Sequence, residues 1–103
     1  MAKRKIVWSV EAKNDLFEIL NFYNERNGSP AYSIKLNNRI NKSLQLISKY
    51  PDIGTESDYP SVRVVITGDY QIVYEIFDQL ILVIMLWDCR RNPENKKIRN
   101  RLK

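Results

Sequence analysis

The sequence predicts an α+β fold: an N-terminal strand and an antiparallel helical hairpin packed on a small antiparallel sheet, in the order β-α-α-β-β-β. Three observations carry that expectation. Two long stretches with apolar residues at helical spacing are divided only by Gly28, Ser29 and Pro30. Three β-branched and aromatic runs follow, Ser61–Thr67, Tyr70–Phe77 and Leu80–Trp87, split by turns of two residues. The chain has 103 residues, a length that usually forms one core, so residues 1–103 read as a single domain with a basic C-terminal tail over 90–103.

Each element has a local reason. Lys5 to Trp8 (KIVW) reads as a short first strand running straight into a helix. Ser9 is a good N-cap, and Glu11 and Asp15 sit where the helix dipole favours anions. Ala12, Leu16, Ile19, Leu20 and Tyr23 then form one apolar face, and Gly28 suits the position just past the helix end. Ser29 and Pro30 open the second helix as N-cap and first helical residue. That helix carries Leu36, Ile40, Leu44 and Ile47 on one stripe and stops before Pro51. The connection is short enough to make an antiparallel hairpin. Its helices differ in sign, with Glu11, Asp15 and Glu18 on the first and Lys35, Arg39 and Lys42 on the second, which has no acid. These charges read as solubilising groups that pair with each other across the hairpin. After the loop YPDIGTESDYP, the turns at Gly68-Asp69 and Asp78-Gln79 force antiparallel pairing of the last three strands.

Composition narrows the chemistry. There is no histidine, which removes Ser-His and Cys-His nucleophiles, a histidine base and imidazole metal ligation. With one cysteine, no acidic calcium loop and no Gly-rich phosphate loop, neither a metal nor a cofactor is expected. Cys89 stands alone, which predicts a reducing cytoplasmic setting. The longest apolar run, Leu80 to Trp87, is too short to cross a bilayer, so no membrane partner is expected. Residues 90–103 hold seven basic residues and one acid, +6 against a formal total of +5, which leaves the first 89 residues at −1. Such a field suits an anionic partner, an acidic protein and a nucleic acid equally.

Counting outward from Gly68-Asp69 places Thr67 opposite Tyr70 and Arg63 opposite Tyr74. Continuing through Asp78-Gln79 brings Trp87 opposite Tyr70 on the same face, with Gln71 and Glu75 on the other. If that face is exposed, Arg63 among three aromatics offers a surface for stacking or for phosphate. If it is buried, the aromatics are core and Arg63 reaches water from the rim. A second cluster, WDCRRNP, gathers Trp87, Asp88, Arg90 and Arg91 where a strand meets solvent. Asp88 beside two arginines keeps a low pKa, which makes it a poor general base and the cluster a better binding site than a catalytic one.

Taken together, KIVWSVEAKNDLFEILNFY, KYPDIG, VRVVITGDYQIVYEI and LWDCRRNP resemble the RelE/ParE superfamily of toxins from bacterial toxin–antitoxin operons, from Lys5 to about Pro93. The resemblance implies a toxin that arrests growth, held by a cognate acidic antitoxin in a toxin–antitoxin hetero-oligomer. Two targets go with it: DNA gyrase, bound without catalysis in the ParE-like branch, or messenger RNA cut on the ribosome in the RelE-like branch. Arg63 matches a recurrent arginine of the superfamily. Gln71 stands where the RNA-cleaving branch has a catalytic arginine, and Asp88 stands where many members carry a histidine. On that match Arg63, Tyr74, Arg90 and Arg91 are the catalytic candidates of a metal-independent endoribonuclease. Arg63, Trp87, Asp88, Arg90, Arg91, Lys96, Lys97, Arg99 and Arg101 are the candidates for target or antitoxin binding. The neutral Gln71 tips the expectation towards the ParE-like branch.

Overall fold

The computed structural model describes residues 3–102. Strand β1 spans Lys5–Trp8, helix α1 Val10–Asn27 and helix α2 Ala31–Lys49. Strands β2 (Thr55–Glu56), β3 (Val62–Thr67), β4 (Tyr70–Ile76) and β5 (Leu80–Asp88) follow. Short 3-10 turns lie at Pro51–Ile53, Pro93–Asn95 and Ile98–Arg101. The α+β architecture is the one the sequence predicts.

Capping follows the local chemistry. The Ser9 hydroxyl accepts from the Ala12 amide at 3.1 Å, and Gly28 closes α1 in the left-handed region at φ 62°. Ser29 Oγ accepts from the Ala31 amide, so α2 begins one residue later than the proline rule predicts, with Pro30 as its cap. Where α2 ends, Ser48 Oγ donates to the Arg4 carbonyl at 2.5 Å and the Arg4 amide returns a bond to the Ser48 carbonyl at 3.2 Å. That reciprocal pair clips the start of β1 to the helix.

The sheet runs β1-β5-β4-β3-β2 and is mixed rather than wholly antiparallel. β1 lies parallel to β5, with Lys5 beside Leu80 and Trp8 beside Val83. The helical hairpin is what makes this possible, because it carries the chain back across one face before the other strands form. β2 is a two-residue edge within the stretch that the sequence predicts to be loop, held by pairing of Glu56 with Arg63.

The β3–β4 register matches the count from the turn, with Arg63 opposite Tyr74 and Thr67 opposite Tyr70. The β4–β5 register corrects it. Tyr74 pairs with Val83 but Val73 pairs with Met85, so Ile84 is an extra residue and Tyr70 faces Asp88 instead of Trp87. This β-bulge turns Trp87 to the far side of the sheet, opposite Gln71.

Each side of the sheet therefore has its own core. Leu36, Ile40, Leu44 and Ile47 of α2, with Leu16, Ile19 and Leu20 of α1, cover Tyr70, Ile72, Tyr74, Val83 and Leu86. On the opposite side Val62, Val73, Ile84, Met85 and Trp87 lie beneath Ile98 and Leu102 of the basic tail. The tail is thus docked on the sheet, with Ile98 and Leu102 partly buried against it and Lys97 and Arg99 exposed.

The two charged helix faces do not pair with each other. Asp15 is bound instead to Arg101, 2.8 Å from Nη1. Lys35, Arg39 and Lys42 make no ion pair among the described residues. The helices pack through apolar residues, and their polar faces point in different directions.

Candidate functional site

Arg63 and Tyr74 are brought together, at the turn that follows α2. The Tyr74 hydroxyl donates to the Pro51 carbonyl at 2.6 Å and accepts from the Gly54 amide at 3.1 Å. The Tyr74 side chain is fully buried, and burial raises its phenol pKa. Arg63 Nη1 donates to the Gly54 carbonyl at 2.6 Å and to the Asp52 carbonyl at 3.3 Å, while Nη2 pairs with Glu56 at 3.2 Å. The guanidinium is therefore engaged with a turn, and the Arg63 face of the sheet is the one the helices cover.

The second cluster lies four residues along β4, roughly 13 Å away at ~3.3 Å per residue. There a groove of about 410 Å³ opens between α1 and the end of β5, lined in part by Glu18, Phe22, Tyr23, Asp88, Arg90 and Arg91. Asp88 orders this end. Its Oδ1 accepts from the Arg90 amide and Nε, both at 2.9 Å, and its Oδ2 accepts from Arg90 Nη2 at 2.9 Å. The planar guanidinium fits a carboxylate in this fork-to-fork way. The Arg90 bond holds the Asp88 carboxyl below the usual carboxylate range.

Arg90 Nη2 also donates to Tyr23 Oη at 3.0 Å, and Tyr70 donates to the same oxygen at 3.1 Å. Burial drives the Tyr70 phenol well above its ordinary pKa, and the bond to Tyr23 adds to the shift. Receiving the Tyr70 bond lowers the Tyr23 phenol, and Arg90 acts in the same direction. The outcome is a hydrogen-bonded chain from α1 through β4 to the end of β5, presenting one half-exposed guanidinium at the groove.

The tail residues divide by what they touch. Arg91 stacks over Trp87, 4.7 Å from the ring centroid. The Lys96 ammonium donates to the Gln71 side-chain carbonyl, and burial lowers its pKa. Arg101 binds Asp15 through both terminal nitrogens and donates to the Ile84 carbonyl at 2.8 Å, while Asp15 accepts from the Leu86 amide at 3.1 Å. The Asp15–Arg101 pair thereby satisfies the edge of β5 where β1 no longer covers it. Lys97 and Arg99 are exposed and make no ion pair among the described residues.

Residues 6–93 match the family model described as the ParE toxin of the type II toxin–antitoxin system, parDE. The chain belongs to the ParE toxin family. That match spans both clusters and stops at Pro93, so the docked segment that carries Lys96 to Arg101 lies beyond it. The fold also superposes on a chain of the chromosomal ParDE toxin–antitoxin system from P. aeruginosa, with a TM-score of 0.71, 17% identity, and coverage of 85% of this chain and 98% of that one. No curated protein matches the sequence. Among the described residues no helix is long and apolar enough to cross a membrane.

The nine binding candidates of the sequence thus fall into three places. Arg63 sits with Tyr74 at the turn after α2; Trp87, Asp88, Arg90 and Arg91 surround the end of β5; and Lys96, Lys97, Arg99 and Arg101 ride on the docked tail. Tyr23 was read only as part of an apolar helix face, and its hydroxyl proves to be the joint between Tyr70 and Arg90. Nothing local marks it out, since its partners lie 47 and 67 residues away.

Proposed function

We propose that this chain is the growth-arresting toxin of an antitoxin pair and acts in the cytoplasm by binding DNA gyrase, not by cutting RNA. The observation that carries the reading is the state of the cations along β3 and β4. Arg63 is committed to two turn carbonyls and to Glu56, and the neutral Gln71 accepts from Lys96. Cleavage by 2′-hydroxyl attack needs positioned cations where charge builds on the phosphate, and losing one such donor costs on the order of a hundredfold. A binding mechanism needs no such set.

The groove at the end of β5 supports the antitoxin half of the proposal. Arg26, Arg90 and Arg91 line it, and Phe22 offers an apolar anchor that is 54% exposed. An acidic segment that folds on this surface would meet both charge and apolar area, the pattern expected of a disordered antitoxin arm. The product would be a toxin–antitoxin hetero-oligomer.

The test is pulse labelling after induction in a bacterial host that lacks the antitoxin, following thymidine and methionine incorporation together. DNA synthesis failing first is the expected result. Protein synthesis stopping within minutes, with DNA synthesis continuing, would assign the chain to the ribosome-dependent nuclease branch.

A further inference from the structure

One surface is used by neither cluster. Lys35, Arg39, Lys42 and Lys49 of α2 fall within an arc of about 80° at 3.6 residues per turn and span about 21 Å at ~1.5 Å per residue. All four are exposed, and none makes an ion pair or a side-chain hydrogen bond among the described residues. No acidic residue occurs from Arg26 to Pro51, so nothing on this helix dilutes the field. This differs from Arg63, Arg90 and Arg101, each of which has a carboxylate partner.

A second observation extends the same side of the molecule. The reciprocal bonds between Arg4 and Ser48 lay the segment before β1 alongside the end of α2. The groove between them, about 570 Å³, is lined by Lys3, Arg4, Lys5, Asn41 and Gln45 and by no acid. Four cations on a rigid rod and three on its flank therefore stand on neighbouring sides of α2, with no acid lining the groove between.

We propose that this surface binds the phosphate backbone of duplex DNA. The neighbours of the four cations are Asn38, Gln45, Tyr32 and Tyr50, the residue types that donate to phosphate oxygens. A single-stranded ligand would call for aromatic rings interleaved with the cations as stacking platforms, and none stands between Lys35 and Lys49. An acidic helical partner would call for apolar anchors repeated along the stripe, where only Leu46 occurs. A straight run of cations with polar flanks fits a regular line of phosphates. The choice of DNA over duplex RNA rests on the gyrase reading, because gyrase is an enzyme that acts on duplex DNA.

The experiment uses the full chain and a fluorescein-labelled 20-base-pair DNA duplex, with anisotropy read across 50–200 mM salt. Contacts from the seven cations give an expected log–log salt slope of about −6, and the K35Q/R39Q/K42Q variant, which keeps Lys49 and the three flanking cations, is expected to reduce it to about −4. Glutamine is a good helix former, so an unchanged circular dichroism spectrum shows the variant folded. The matched control, R91Q/K97Q, should keep most of the wild-type slope. The inference is overturned if the triple variant binds DNA with the wild-type slope, or if the wild type prefers duplex RNA or polyglutamate of equal charge. Calorimetric titration of gyrase without DNA separates the two proposals. A chain that binds gyrase but not the duplex loses this surface and keeps its target, and a chain that binds only the duplex keeps the surface and loses the target.

Discussion

Arg63 and Arg90 stand beside opposite ends of β4, and their surroundings decide what each can do. Arg63 is 22% exposed and directs its donors inward, to the carbonyls of Asp52 and Gly54. Arg90 is 54% exposed and is held by Asp88 beneath, by the two tyrosine hydroxyls behind it and by Asp69, 3.8 Å from Nη1. The first arginine builds a turn. The second is oriented by its partners and still faces the groove. A recurrent arginine in a family is therefore no guide to its role until its acceptors are known, because backbone carbonyls and a ligand phosphate satisfy the same donors.

The largest effect that tests this contrast lies at Gly54. A Cβ there would stand 2.5 Å from Tyr74 Oη and 3.0 Å from the Val64 carbonyl, so Gly54→Ala should destabilise the fold by about 2–3 kcal/mol in urea unfolding. Next comes Tyr74→Phe, which leaves the Pro51 carbonyl and the Gly54 amide without their buried partner and should cost about 1–3 kcal/mol. If either change is neutral to stability yet abolishes toxicity, the Arg63 end is a working site and the contrast breaks.

Arg63→Ala should cost about 1 kcal/mol, with activity falling only as far as the folded fraction falls. Arg90→Ala gives the complementary result. Its partly exposed pair with Asp88 is worth about 0.5 kcal/mol or less, while affinity for the proposed acidic antitoxin should drop about tenfold by titration calorimetry.

The contrast was partly legible in the sequence. The Gly68-Asp69 turn fixes the β3–β4 register, so the pairing of Arg63 with Tyr74 followed from counting. The β4–β5 register did not follow, because LILVIMLW is apolar throughout and has no period that would reveal one extra residue at Ile84. That bulge moved Trp87 to the far face and set Asp88 opposite Tyr70. The parallel partner of β1 lies beyond the whole helical hairpin, and β2 is only two residues long, so neither carries a usable local signal. The docking of the tail depends on Ile98 and Leu102, two apolar residues scattered among cations, whose burial needs a sheet face that only the folded chain supplies. The pairing expected between the acids of α1 and the cations of α2 fails for a related reason: sign and spacing on a helix do not say which way its polar face points.

The smallest predicted effect concerns pH. The Asp88 carboxyl has a lowered folded pKa because Arg90 hydrogen-bonds its charged form. Its contribution is present above the ordinary carboxylate value of about 3.9 and is lost as pH falls through the folded value. Asp88→Asn should therefore lower the thermal midpoint by a degree or two at pH 7, with the two proteins converging near pH 2. A constant difference across that range would mean that the side chain acts through packing and not through charge.

Binding of the target without catalysis is tested by two purified assays run side by side: gyrase supercoiling and cleavage of messenger RNA on ribosomes. The wild type and Arg63→Ala, compared at equal folded concentration, should inhibit supercoiling alike and leave the messenger intact. Cleavage by the wild type that disappears in Arg63→Ala, with supercoiling unaffected, would contradict binding without catalysis.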